Sequence, residues 1–123
     1  MTFKTTNVRA LNSLLFIKDA NSRDFPFIDG NQTVWARPSF IAVSCLPDCD
    51  GPTTVTMAAK HEKARKPANL VFDDYLDTPS QKLIVETVTG DAVLQFDTAA
   101  QNMRLRIWTN GRRDTDAVFI EIC

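Results

Sequence analysis

The segment SCLPDCDGP, residues 44–52, holds the densest raw material for chemistry in the chain: Cys45 and Cys49 stand four apart, with Asp48 and Asp50 beside them among prolines and a glycine. Two thiols at this spacing suggest a metal or a redox pair. Zinc needs about four ligands with Cys or His dominant, and the candidates are Cys45, Cys49, Cys123 and the single histidine, His61. The spacing is unfavourable, because structural zinc sites pair tighter CxxC knuckles and here one CxxxC stands alone. A redox dithiol usually sits at a helix N-terminus that lowers a thiol pKa, whereas Pro47-Asp48 and Asp50-Gly51 predict a turn. The segment therefore reads as a turn, and no metal or other cofactor is expected.

Other catalytic constellations are poorly supplied. GxSxG is absent, and His61 lies in the basic stretch KHEKARKPAN, residues 60–69, with no serine or cysteine motif beside it. Asp73, Asp74 and Asp77 form an acidic cluster around Tyr75 and Leu76 in DDYLD. Calcium accepts such oxygens, yet neither this run nor DANSRDFPFIDG has the ligand spacing and glycine position of a helical calcium loop. The reading is a protein without enzymatic activity.

Composition narrows the class. The 123 residues suit one domain, residues 1–123, since a division would leave two undersized cores. Hydrophobic content of 44% beside 24% charged residues is that of a soluble globular protein. A net charge of −1 argues against a dedicated nucleic-acid partner. The one apolar run near the start, LLFI, is too short for a membrane span or a secretory signal core, which argues against a membrane partner as well. Three cysteines, an odd number, favour a reducing compartment, so a cytoplasmic location is expected.

The elements that must position these residues follow from period-two alternation broken by turn residues about every ten positions. Candidate strands are 13–19, 39–45, 53–59, 68–76, 81–89, 92–97, 103–109 and 116–122. The pair 39–45 and 53–59, flanking the cysteine segment, looks like a hairpin. Gly90-Asp91 predicts a tight turn between the strands either side of it, and Asn110-Gly111 a longer turn before the last strand. SRDFPFIDGNQ is a long loop, and residues 60–69 read as a loop or one helical turn. The fold class is all-β: a single antiparallel β-sandwich, jelly-roll-like, of about eight strands.

Charge is segregated along the chain. Residues 60–66 are basic; from 73 to 97, Asp73, Asp74, Asp77, Glu86, Asp91 and Asp97 face Lys82 alone; Arg104, Arg106, Arg112 and Arg113 then cluster. Opposed patches of this kind steer encounters between proteins, so a small protein-binding module is the first reading. A ligand- or carbohydrate-binding β-sandwich, using Trp35, Trp108, Tyr75 or some of the phenylalanines, is the alternative. Self-association into a homo-oligomer through exposed strand edges stays open.

The succession SLLFIKDA, a loop, VWARPSFIAVS, TTVTMA, QKLIVETVTGDAVLQFD and RLRIWTNGRRDTDAVFIEI resembles the bacterial competence nuclease-inhibitor family, the competence protein J-like proteins, from about residue 13 onward. KHEKARKPANLVFDDYL and the CxxxC segment depart from that pattern. The resemblance implies a protein that binds and inhibits a nuclease, or an immunity-like protein for a toxin. Its acidic residues would then occupy the basic groove of the enzyme, with Asp73, Asp74 and Asp77 as the carboxylates and Tyr75 as the aromatic anchor.

Overall fold

A computed structural model describes residues 3–59, 65–111 and 114–123. Among the described residues there are ten strands: β1 (Phe3–Val8), β2 (Leu14–Asp19), β3 (Val34–Arg37), β4 (Phe40–Ser44), β5 (Thr53–Ala59), β6 (Asn69–Asp77), β7 (Lys82–Thr87), β8 (Ala92–Asp97), β9 (Asn102–Thr109) and β10 (Ala117–Ile122). They form two five-stranded sheets, ordered β1-β5-β10-β9-β6 and β3-β4-β2-β7-β8. The all-β architecture is the expected one. Every neighbouring pair is antiparallel except β5 and β10, which run parallel.

Side-chain alternation builds the core. Leu15 and Ile17 of β2, Ile41 and Val43 of β4, Val55 and Met57 of β5, Leu105 and Ile107 of β9 and Val118 and Ile120 of β10 belong to one buried cluster drawn from both sheets. Burial of such aliphatic side chains, worth roughly 1.5–3 kcal/mol each, is what holds the sheets together.

The expected hairpin of 39–45 with 53–59 does not form, because β4 and β5 lie in different sheets. All five residues of β4 are buried. Ile41 and Val43 meet the core, while Phe40 and Ala42 form a second cluster with Phe16 and Trp35 on the sheet's other face. β5 instead alternates and pairs with β1 and β10. The proline-bounded segment between them carries the chain from one sheet to the other, and Leu46 N–H donates to Thr115 O at 2.8 Å on the far sheet's side.

Two strands were not expected. β1, FKTTNV, is a polar edge strand whose few apolar positions carry little alternation, and β3, VWAR, has only four residues. The turns at Gly90 and Asn110 occur where expected. Gly90 adopts φ 88° and its N–H donates to Thr87 O at 2.9 Å, closing the β7–β8 hairpin. Beyond β9, Asn110 N–H donates to Thr115 Oγ1 at 3.1 Å, and Thr115 Oγ1 donates to Ala117 O at 2.8 Å, which shapes the longer loop into β10.

The loop between β2 and β3 covers the outer face of the second sheet. Phe25 packs edge-on against Phe16, ring centroids 5.1 Å apart, and at 5.4 Å from Phe40. Beneath the loop the nearly buried Lys18 donates to Ser22 O at 2.9 Å and lies 3.5 Å from Glu86. Asp19, also buried, accepts from Ser80 N–H at 3.0 Å, Ser80 Oγ–H at 2.6 Å and Asn21 N–H at 3.0 Å, so one carboxylate joins β2 to both adjoining loops.

Candidate protein-binding surface

β6 is the edge strand of the first sheet and carries the acidic cluster. Its inner side chains include Phe72 and the fully buried Leu76, whose contact with the core fixes which face each residue takes. Period two then places Asp73, Tyr75 and Asp77 on the outer face, beside the outward residues of β9. The antiparallel register sets Asp73 opposite Arg106, Tyr75 opposite Arg104 and Asp77 opposite Asn102.

These neighbours interlock diagonally. Arg104 donates from Nε to Asp73 Oδ1 at 2.9 Å and from Nη2 to Oδ2 at 3.0 Å, a bidentate pair. Arg106 Nε stands 3.5 Å from Asp73 Oδ2. The hydrogen bonds from Arg104, assisted by the charges of both guanidinium groups, hold the Asp73 carboxyl below its ordinary pKa. The same contact raises the Arg104 guanidinium. Asn102 Nδ2–H donates to Asp77 Oδ1 at 2.8 Å.

The network runs on across the sheet. Arg106 Nη1 is 3.8 Å from Glu121 Oε1, and Lys66 Nζ is 3.0 Å from Glu121 Oε2. Lys66 also lies over Trp108 and Phe119, 5.8 and 5.9 Å from the ring centroids. Blocks of charge separated in sequence thus meet on one face, because β6, β9 and β10 are adjacent although distant along the chain. Glu121 is 4% exposed, so its carboxylate depends on these cations.

What remains available on β6 is narrower than the sequence cluster. Asp74 and Asp77 have no ion-pair partner among the described residues, and Tyr75 is 59% exposed. The free edge of the strand is closed locally: Tyr75 N–H donates to Asp74 Oδ1 at 2.7 Å and Asp77 N–H to Pro38 O at 2.7 Å. Edge groups satisfied in this way resist pairing with a foreign strand. The outer face therefore offers a partner an exposed phenol with Asp77 on the same side, beside arginines already engaged by Asp73, while Asp74, which shares the parity of Phe72 and Leu76, stands exposed on the other side of the edge strand.

The thiols do not assemble. Cys45 is buried at the end of β4, Cys49 is exposed in the short 3-10 turn Asp48–Asp50, and Cys123 is half-buried, its thiol 3.8 Å from Glu121 Oε1. No group of three metal-ligating side chains occurs among the described residues, and His61 lies outside them. Burial pushes the Cys45 thiol up to about 11, partly opposed by a hydrogen bond with Thr53. The SCLPDCDGP segment is the crossover between sheets. The helical turn considered for 60–69 falls mostly on residues 60–64, outside the described residues, as do Arg112 and Arg113.

A second surface lies at the other sheet. Leu14, Ile28, Asp29, Gly30 and Trp35, with the start of β2, line a cleft of about 270 Å3. Trp35 Nε1–H donates to Asp29 O at 2.8 Å, which fixes the indole against the loop. Nothing in SRDFPFIDGNQ signalled that this loop folds back on its own sheet.

The arrangement of strands in this chain has a counterpart among solved structures. The chain is similar in fold to ComJ. The crystal structure of ComJ, an inhibitor of the DNA-degrading activity of NucA from Bacillus subtilis, aligns with a TM-score of 0.74 over 99% of this chain and 96% of that one, at 12% identity. At that identity the likeness is one of fold. It agrees with the resemblance read from the strand succession. No family model matches the chain, and no curated protein matches it in sequence. No helix among the described residues is long and apolar enough to cross a membrane.

Proposed function

We infer that this protein is a non-catalytic, cytoplasmic inhibitor or immunity-like protein that binds a nuclease or a similar toxin. The observation that carries the reading is the near end-to-end fold similarity to ComJ, a nuclease inhibitor. The β6 surface is consistent with it. On the outer face Asp77 supplies a carboxylate for a phosphate-seeking basic groove and Tyr75 a large side chain for burial at the centre of the contact, and Asp74 adds a second carboxylate from the other side of the exposed edge strand. Asp73 has a different part: bonded to Arg104 and Arg106, it sets the arginines' positions and gives up most of its own attraction for an external cation.

The test is titration of a captured enzyme. The tagged protein is used to retain proteins from an extract of its own cells, and the DNA-degrading activity of any stoichiometric enzyme is measured as the protein is added back. Loss of activity at about one equivalent supports the reading. An enzyme unaffected by a large excess, or no enzyme retained, rejects it.

A further inference from the structure

Besides Tyr75, β6 exposes a second large apolar side chain: Leu70, near the start of the strand, is 46% exposed. Its direction is not the one that alternation dictates. Phe72 and Leu76 turn toward the core, and strict period two would turn Leu70 inward with them. A β-bulge prevents this. The pairing with β9 steps from Leu70 opposite Trp108 to Phe72 opposite Ile107, so three residues of β6 stand against two of β9. Val71 and Phe72 both pack against the core, and Leu70 emerges beside Trp108 on the outer face, the face that carries Asp73, Tyr75 and Asp77. Bulges re-aim side chains beside functional sites, and this one gives up the burial of a leucine that regular pairing would direct at the core.

Between Leu70 and Tyr75 the charges are already paired: Asp73 with Arg104 and Arg106, and Glu121 with Lys66 and Arg106. The two apolar side chains bracket this ionic centre, roughly 15 Å apart at about 3.3 Å per strand residue. The strand itself carries Asp73, Asp74 and Asp77 and no cation. That charge selects among occupants. A second copy laid with β6 against β6 would set acid against acid, and nucleic-acid phosphates or an anionic lipid surface would be repelled in the same way. Strand addition is hindered as well, since the Tyr75 and Asp77 N–H groups are already bonded to Asp74 Oδ1 and Pro38 O. The occupant that fits is a protein whose contact surface is cationic and holds apolar recesses.

We propose that Leu70 is the second anchor of the β6 contact, entering one apolar recess of the basic partner while Tyr75 enters another and Asp74 and Asp77 meet the cations around it. This rests on the inhibitor reading and extends it along the strand, adding a residue that determines which partner fits. Carboxylates alone steer the chain toward any basic groove. Two anchors held at a fixed separation on one paired strand demand recesses at the same separation, which distinguishes enzymes of similar charge.

The experiment measures association and dissociation rates of the captured enzyme with wild type, Leu70→Ser and Leu70→Met, under conditions where urea titration shows all three fully folded. Charge acts mainly on association and apolar anchors on dissociation. Leu70→Ser therefore dissociates about tenfold faster and associates within about twofold of the wild-type rate, while Leu70→Met, which keeps the apolar bulk, stays near wild type in both. A Leu70→Ser protein released as slowly as wild type overturns the second anchor, and the inhibitor reading survives as long as the enzyme is still inhibited. Failure of the wild type to retain any enzyme overturns both.

Discussion

The Asp73 carboxylate is gripped at both oxygens by Arg104, its diagonal neighbour across the β6–β9 pairing. The contact links the edge strand carrying the acidic cluster to the strand carrying the arginines, and it changes what each charge can do. An acid that reads in sequence as free to meet a partner is, in the folded chain, part of an internal lattice.

From this pair follows a dependence on pH. The folded-state pKa of Asp73 lies below the ordinary 3.8, so the interaction contributes its full stability above the unfolded value and loses it as pH falls through the folded one. Asp73→Asn is therefore expected to be less stable than wild type near neutrality, with the difference shrinking as the solution is acidified below pH 4. Because the pair is exposed, the effect is small and weakens with salt. Urea unfolding at several pH values, at low and high ionic strength, is the check.

Glu121 gives a larger effect. Replacing Lys66 by Met removes the 3.0 Å partner of a nearly buried carboxylate and leaves only the more distant Arg106. A loss of roughly 1–3 kcal/mol is expected. The double variant Lys66→Met with Glu121→Gln recovers part of it, since the unpaired charge is gone. A Lys66→Met variant as stable as wild type in denaturant titrations would show that the pair contributes nothing.

At the other sheet, Asp19→Ala strands the Ser80 and Asn21 donors that its carboxylate now holds. The expected cost is roughly 2–3 kcal/mol in unfolding free energy, with Asp19→Asn falling between the variant and wild type. Calorimetric melting of the three proteins measures the order.

Thiol reactivity separates the cysteines. With its thiol raised to about 11 by burial, Cys45 is almost wholly protonated at pH 8 and shielded, whereas Cys49 is exposed. Alkylation of the native protein followed by mass analysis should modify Cys49 first and reach Cys45 only on unfolding. Rapid labelling of Cys45 in the native state would mean that the end of β4 opens readily.

Much of the architecture was legible because it rests on local signals. Alternation in MRLRIWT and DAVFIEI marks β9 and β10, Asn110 marks the turn between them, and Gly90 marks the turn between β7 and β8. What was hidden depends on pairing between distant segments. FKTTNV carries too few apolar residues to show its periodicity, since as an edge strand it leaves much of itself to water. The hairpin inferred across Cys45 and Cys49 failed because two strands close in sequence each found better partners in separate sheets: β2 and β3 for one, β1 and β10 for the other. DDYLD was visible as a cluster of charge, but its engagement with Arg104 and Arg106 required knowing that β6 lies beside β9.

The central claim is that the β6 surface binds a nuclease-like enzyme. The most direct measurement is the affinity of a captured partner enzyme for the wild type and for two variants: Asp74→Lys with Asp77→Lys, and Tyr75→Ala. The account predicts that both variants keep the native fold and lose binding by at least about tenfold, with DNA degradation by the enzyme restored in parallel. Unchanged affinity in both, with the enzyme still fully inhibited, would contradict it.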